Sequence, residues 1–139
     1  MAELKTRATK ASVSEFIQAV SNTQRRADAK VVLQMMETVA GEKPAMWGPS
    51  IVGFGTHRYL YANGKTGEMC RIGFSPRAQA LVFYLGEFSG RDQLLEKLGD
   101  CRVTPGCLYI KRLELIDQRI LERIIKKSWA HRKSEPAAS

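Results

Sequence analysis

The chain has 139 residues and a mass of 15.6 kDa, with 44% hydrophobic residues, 26% charged residues and a formal net charge of +8. That size suits one domain with one ordinary core, and the composition excludes the disordered and collagen-like classes. No apolar stretch follows the charges of residues 1–7 and no apolar run nears the ~18 residues that span a bilayer, so a cytoplasmic protein with no membrane partner is expected.

In chain order, residues 1–11 read as a flexible N-terminus, 12–133 as one domain and 134–139 as a disordered tail. The first forty residues hold neither Gly nor Pro, and all eleven glycines fall between Gly41 and Gly106, so helical ends flank a turn-rich middle. Ser12-Val13-Ser14-Glu15 has the form of a capping box and predicts a short helix over 13–20. Asn22 or Thr23 caps a second helix that runs to Gly41, with Val32, Met35, Met36 and Val39 on one face. His57 to Ala62 and Glu68 to Phe74 alternate on either side of Asn63-Gly64-Lys65-Thr66-Gly67, which predicts a β-hairpin. Ser75-Pro76-Arg77 then turns the chain into an apolar strand over 80–85. Ser89 and Asp92 start a short helix that carries Leu94, Leu95 and Leu98 and stops at Gly99; a further strand follows over 107–111. Asp117 caps the last helix, in which Ile120, Leu121, Ile124 and Ile125 form one stripe and Arg119, Arg123, Lys126 and Lys127 face away. The expected fold class is α+β, with an antiparallel sheet of about four strands packed by two N-terminal helices, one interposed short helix and a C-terminal helix.

Met46-Trp47-Gly48, Ser50-Ile51-Val52-Gly53-Phe54-Gly55, Gly73-Phe74-Ser75-Pro76-Arg77 and Cys107-Leu108-Tyr109-Ile110-Lys111, in this order, resemble the bacterial YdhG-like family of domains of unknown function, over roughly residues 24–129. The resemblance implies a small, single-domain α+β protein of the cytoplasm, without an established reaction. Some relatives are described as frataxin-like iron chaperones, which makes iron the alternative cofactor. The chain departs from that chemistry, because iron is a hard cation that favours clustered carboxylates. From Thr23 to Glu42 the acids Asp28, Glu37 and Glu42 are offset by Arg25, Arg26 and Lys30. No metal ligands are assigned.

No catalytic residues are assigned either. The three cysteines, Cys70, Cys101 and Cys107, lack CxxC spacing and read as reduced thiols, and the two histidines, His57 and His131, are far apart. Gly53-Phe54-Gly55 lacks the third glycine of a dinucleotide loop. The stretch Gly53 to Tyr59 half-matches an RNA-reading strand but fails at Thr56 and His57, where a stacking aromatic and an apolar residue belong. What is left is a binding surface for an unidentified small molecule or protein. Its candidate residues are Trp47 as a flat wall, Gly53 and Gly55 as points of close backbone approach, Tyr59 and Tyr61 on one strand face, and an anion-binding corner of Ser75, Arg77, Tyr109 and Lys111. Trp47 has a second reading, as a plug where the second helix meets the sheet.

The charge is uneven. Residues 111–133 carry eight basic and three acidic side chains, against eight and seven over residues 31–110. Arg119, Arg123, Lys126, Lys127, Arg132 and Lys133 are therefore candidates for polyanion binding, nucleic acid included, as the alternative to a solvated helix face.

Overall fold

The computed structural model describes residues 8–60, 64, 66–86, 88–104 and 107–134. A two-residue strand, β1 (Ala8–Thr9), lies inside the stretch expected to be flexible and pairs with Trp47 and Met46. Ser12 accepts a hydrogen bond from the Glu15 N–H at 3.1 Å and caps α1 (Val13–Gln18), which ends before the expected residue 20. Asn22 accepts from the Arg25 N–H at 2.8 Å and starts α2 (Thr23–Ala40), which Gly41 closes in the left-handed conformation. The middle of the chain supplies β2 (Ala45–Trp47), β3 (Ile51–Phe54), β4 (His57–Leu60), β5 (Thr66–Met69), β6 (Ile72–Pro76) and β7 (Leu81–Tyr84). Then come α3 (Arg91–Leu98), β8 (Arg102–Thr104), β9 (Cys107–Ile110), a single 3-10 turn over Leu113–Leu115 and α4 (Gln118–Ser134). Asp117 caps α4 as expected, its Oδ1 accepting from the Arg119 N–H at 2.9 Å. At α3 the cap position belongs to Gly90, with φ 91°, and no side chain caps the helix, so the expected Ser89 cap is replaced by a left-handed glycine.

The protein is α+β, but the antiparallel sheet is larger than about four strands. Its order is β1-β2-β3-β6-β7-β9-β8: six strands of three to five residues, with the two-residue β1 at one edge. β4 and β5 form a separate ribbon. The expected hairpin is in fact one long hairpin with a break. Phe54 pairs with Ile72 and His57 with Met69, so β3 and β6 continue into β4 and β5 without a change of register. The break falls at Gly55-Thr56 and Cys70-Arg71, and it splits the strand expected over 68–74. Gly55 has φ 69° there, and a Cβ at this position would sit 2.9 Å from both Arg71 Cδ and Trp129 Cη2. Asn63 and Lys65 of the expected turn lie outside the described residues. The next reversal also moves. β6 continues through Pro76, and the turn is closed by the Arg77 N–H bonding the Ala80 carbonyl at 3.0 Å.

Alternation divides the sheet into two faces. Val52, Phe54, Ile72, Phe74, Leu81, Phe83, Leu108 and Ile110 are buried on the inner face, in one core with Val32 and Met36 of α2 and Leu121, Ile124 and Ile125 of α4. The outer face holds a second, smaller cluster of Trp47, Ile51 and Cys70. Here Gly53 and Gly73 sit side by side on paired strands. A Cβ on Gly53 would lie 2.5 Å from both Cys70 Cβ and Trp47 Cδ1, and one on Gly73 would lie 2.8 Å from the Val52 carbonyl oxygen. The glycines therefore make a trough that the Cys70 and Trp47 side chains fill. No helix of the described residues is long and apolar enough to cross a membrane.

Overpacking a close-packed site of this kind costs about 1–3 kcal/mol. Gly53→Ala and Gly73→Ala should each lower stability by that amount, read as a reduced urea midpoint at unchanged m-value, whereas exposed Lys97→Ala should stay within about 0.5 kcal/mol of the parent.

Candidate functional site

The candidate corner lies where the outer face of the sheet meets its β8 edge, and a buried cation on α2 ties the turns around it. Arg25 is 8% exposed. Its Nη1 donates to the Arg77 carbonyl, and its Nη2 donates to the Lys111 carbonyl at 3.1 Å. One guanidinium thus ties the turn after β6 to the residue that follows β9. One helical turn further on, Asp28 is 6% exposed and accepts the Leu113 N–H at 3.1 Å and the Gln24 Nε2 at 2.9 Å. The β6–β7 turn, the end of β9 and the 3-10 turn are all held by this one stretch of α2.

Beside the tie lies a cleft of about 310 Å³. Gln79 and Ala80 of the β6–β7 turn form one wall, Asp100, Cys101 and Arg102 at the start of β8 form the other, and Tyr109 and Lys111 supply the β9 side. Arg102 and Tyr109 are paired across β8 and β9, and the guanidinium lies over the phenol ring at 4.3 Å from its centroid. Tyr109 is half-buried, while Arg102 and Lys111 are exposed. Two cations therefore face one carboxylate, that of Asp100. Burial pushes the Cys101 thiol up, and Asp100 pushes it further, so it stays protonated at neutral pH.

Arg77 lies at the rim, on the turn that forms the first wall. Its Nη2 donates to the Tyr84 hydroxyl at 2.6 Å. Burial holds the Tyr84 hydroxyl above its ordinary pKa although the Arg77 charge opposes this, so it too stays protonated. Ser75 and Val82 pair with each other between these two residues on the same face, and the Arg77 to Tyr84 bridge spans them. The Ser75 side chain is fully buried, and its Oγ has no hydrogen-bond partner among the described residues.

The candidate residues are thus divided. Tyr109 and Lys111 line the cleft, Arg77 stands on the adjoining turn bonded to Tyr84, and Ser75 is buried on the same sheet face. Trp47, at 3% exposure, is buried over Gly53 on the outer face of the sheet, so it is neither an open pocket wall nor a plug at α2, which packs on the inner face. Gly53 receives Trp47 and Cys70, and Gly55 faces Arg71 and Trp129, so neither opens onto a ligand space. Tyr59 sits in β4 opposite Gly67, outside the main sheet, and Tyr61 lies outside the described residues. Arg119, Arg123, Lys126 and Lys127 are exposed on α4 and do not line the cleft, and Arg132 and Lys133 lie in the same helix. Among the described residues no group of three or more His, Cys, Asp or Glu side chains is placed to hold a metal ion, and Asp28, the buried acid of α2, is already engaged by Leu113 and Gln24.

Arg25 and Asp28 are additions that the sequence did signal. Arg25, Ala29, Val32 and Met36 share one buried face of α2, so a charge stands at the head of an apolar stripe. Arg102 carried no such signal, since a three-residue strand rich in polar atoms beside Pro105 reads as loop. Comparison with protein families, with curated proteins and with solved structures gives no match.

Removing the Arg25 side chain strands two carbonyls and lets the cleft walls part. Arg25→Ala should cost about 1–3 kcal/mol of stability in urea unfolding. Arg25→Lys should restore only part of it, because an ammonium lacks the planar fork that reaches both oxygens.

Proposed function

We propose that the chain is a small, non-enzymatic binding module of the YdhG-like kind, cytoplasmic, whose ligand is a small anion with a planar group, held in the corner cleft. The observation that carries the reading is the convergence of Arg102, stacked on Tyr109, with Lys111 in a cleft whose walls are tied from behind by Arg25. Pockets that take small molecules start at roughly 300 Å³, so the cleft suits a compact metabolite rather than a dinucleotide. Arg102 offers a planar fork to a carboxylate or phosphate and, laid on Tyr109, a flat guanidinium surface, and Lys111 offers a point charge. Asp100 favours ligands that add a donor group beside the anion.

The family reading is supported by where its segments fall. The four motif segments, dispersed along the chain, occupy β2, β3, β6 and β9, four of five successive strands in the sheet order. The binding rather than catalytic reading is supported by the protonated Cys101, which is no activated nucleophile.

The test is an NMR titration with inorganic phosphate, benzoate and adenosine monophosphate. Saturable shifts are expected at the amides of Arg102, Tyr109 and Lys111, and Arg102→Ala and Lys111→Ala should each weaken binding about tenfold, the effect of losing about 1.4 kcal/mol. Shifts confined to other surfaces, or affinity equal to the parent's in both variants, would remove the cleft as the site.

A further inference from the structure

We propose a second, separate interaction surface: the exposed ridge of α4 binds the phosphate backbone of double-stranded DNA without regard to sequence. The helix carries six cations and one acid, Glu122, a net +5 of the chain's +8. Lys126 is drawn to Glu122 at 3.8 Å. Arg119, Arg123 and Lys127 follow one another at four-residue intervals and are all exposed. At 1.5 Å per residue they are spaced about 6 Å apart along one ridge. Three charges over about 12 Å match the run of phosphates along a strand that rises about 3.4 Å per nucleotide.

Three other polyanions fit less well. An anionic membrane would take an amphipathic helix by its apolar face, but the apolar stripe of α4 is spent on the core: Leu121, Ile124 and Ile125 are at most 1% exposed. Ser128 is buried as well and accepts the Gly86 N–H at 2.6 Å. A single strand needs aromatic rings on which bases stack. The ring of Trp129 is covered by the Arg71 guanidinium at 3.5 Å from its centroid, and Arg71 also bonds the Trp129 carbonyl at 2.7 Å. Duplex RNA has a deep, narrow major groove, whereas the B-form groove, about 12 Å wide, leaves its bordering phosphates open to a convex helix. The ridge's exposed members Arg119, Arg123 and Lys127 offer charge in a row, which suits contact with the phosphate backbone.

The experiment is fluorescence anisotropy of a labelled 20-base-pair DNA duplex with the full chain, at 50 to 300 mM potassium chloride. Three phosphate contacts predict a log–log salt slope of about −2.7. The triple variant Arg119→Gln, Arg123→Gln, Lys127→Gln should bind at least tenfold more weakly and lose most of the slope, with its unfolding midpoint unchanged because all three side chains are exposed. A second triple variant, Lys10→Gln, Lys43→Gln, Lys97→Gln, removes the same charge from other exposed positions and should keep the affinity within about threefold, as expected where contact and not net charge governs. Salt-independent binding, or equal losses in the two triple variants, would overturn the proposal. So would tighter binding to a thymidine 20-mer, to an RNA duplex or to phosphatidylserine vesicles.

Discussion

The geometry of the candidate site depends on one buried guanidinium. Among the described residues Arg25 bonds no carboxylate; it meets backbone carbonyls instead, those of Arg77 and Lys111. Both lie just past the ends of strands, where ladder pairing stops and main-chain acceptors need another donor. β6 and β9 are separated by β7 in the sheet, so the fork bridges three strands and fixes α2 against their common end. Asp28 does the converse on the same helix, taking up a main-chain donor at Leu113. A charged pair of side chains thus completes the hydrogen bonding of three separate turns, and the cleft lies between the turns so held.

A second constraint decides which part of the outer face can be open. Near β2 and β3 the sheet is sealed on both sides, with α2 on the inner face and Trp47 with Cys70 laid over glycine on the outer. Only residues without a Cβ allow this, because the chain folds back within contact distance of its own sheet. Towards β7, β9 and β8 no such cover exists among the described residues, and the outer-face residues Tyr84 and Tyr109 are half-buried, the Tyr84 hydroxyl bonded by Arg77 and the Tyr109 ring lying under Arg102. The glycine trough and the cleft are therefore two ends of one face, one packed and one accessible.

The helices were legible because their signals are local. Asn22, Gly41 and Asp117 cap as their chemistry dictates, and the stripes of α2 and α4 bury the residues their period selects. Strands were harder, since the glycine of Ile51–Phe54 reads as a turn when its actual role is to admit Trp47 and Cys70 from elsewhere in the chain. A contact that removes the need for a side chain leaves no periodic trace. The same reason separates the two halves of the candidate site. Arg77, Tyr109 and Lys111 could be grouped from their strand ends, but Arg102 joins them only because β8 pairs with β9, a register that three polar residues do not announce. Arg25 was visible as a charge on an apolar face, though its acceptors are 52 and 86 residues away.

The basicity of the chain divides by shape. In the cleft two cations are set against Asp100, beside a space of about 310 Å³ that suits a small ligand better than a polymer. On α4 the cations Arg119, Arg123 and Lys127 stand exposed in a row that can lie along a repeating charge. Screening reinforces the division, because exposed charges act over about 8 Å at physiological salt and the ridge attracts only what comes into contact along its length. The buried stripe of the same helix makes this possible. With Leu121, Ile124 and Ile125 locked into the core and Ser128 bonded to Gly86, the helix has no freedom to turn its apolar side outward, so its cations are presented in a fixed row. Rigidity of that kind is what converts a merely soluble helix face into a surface with a spacing.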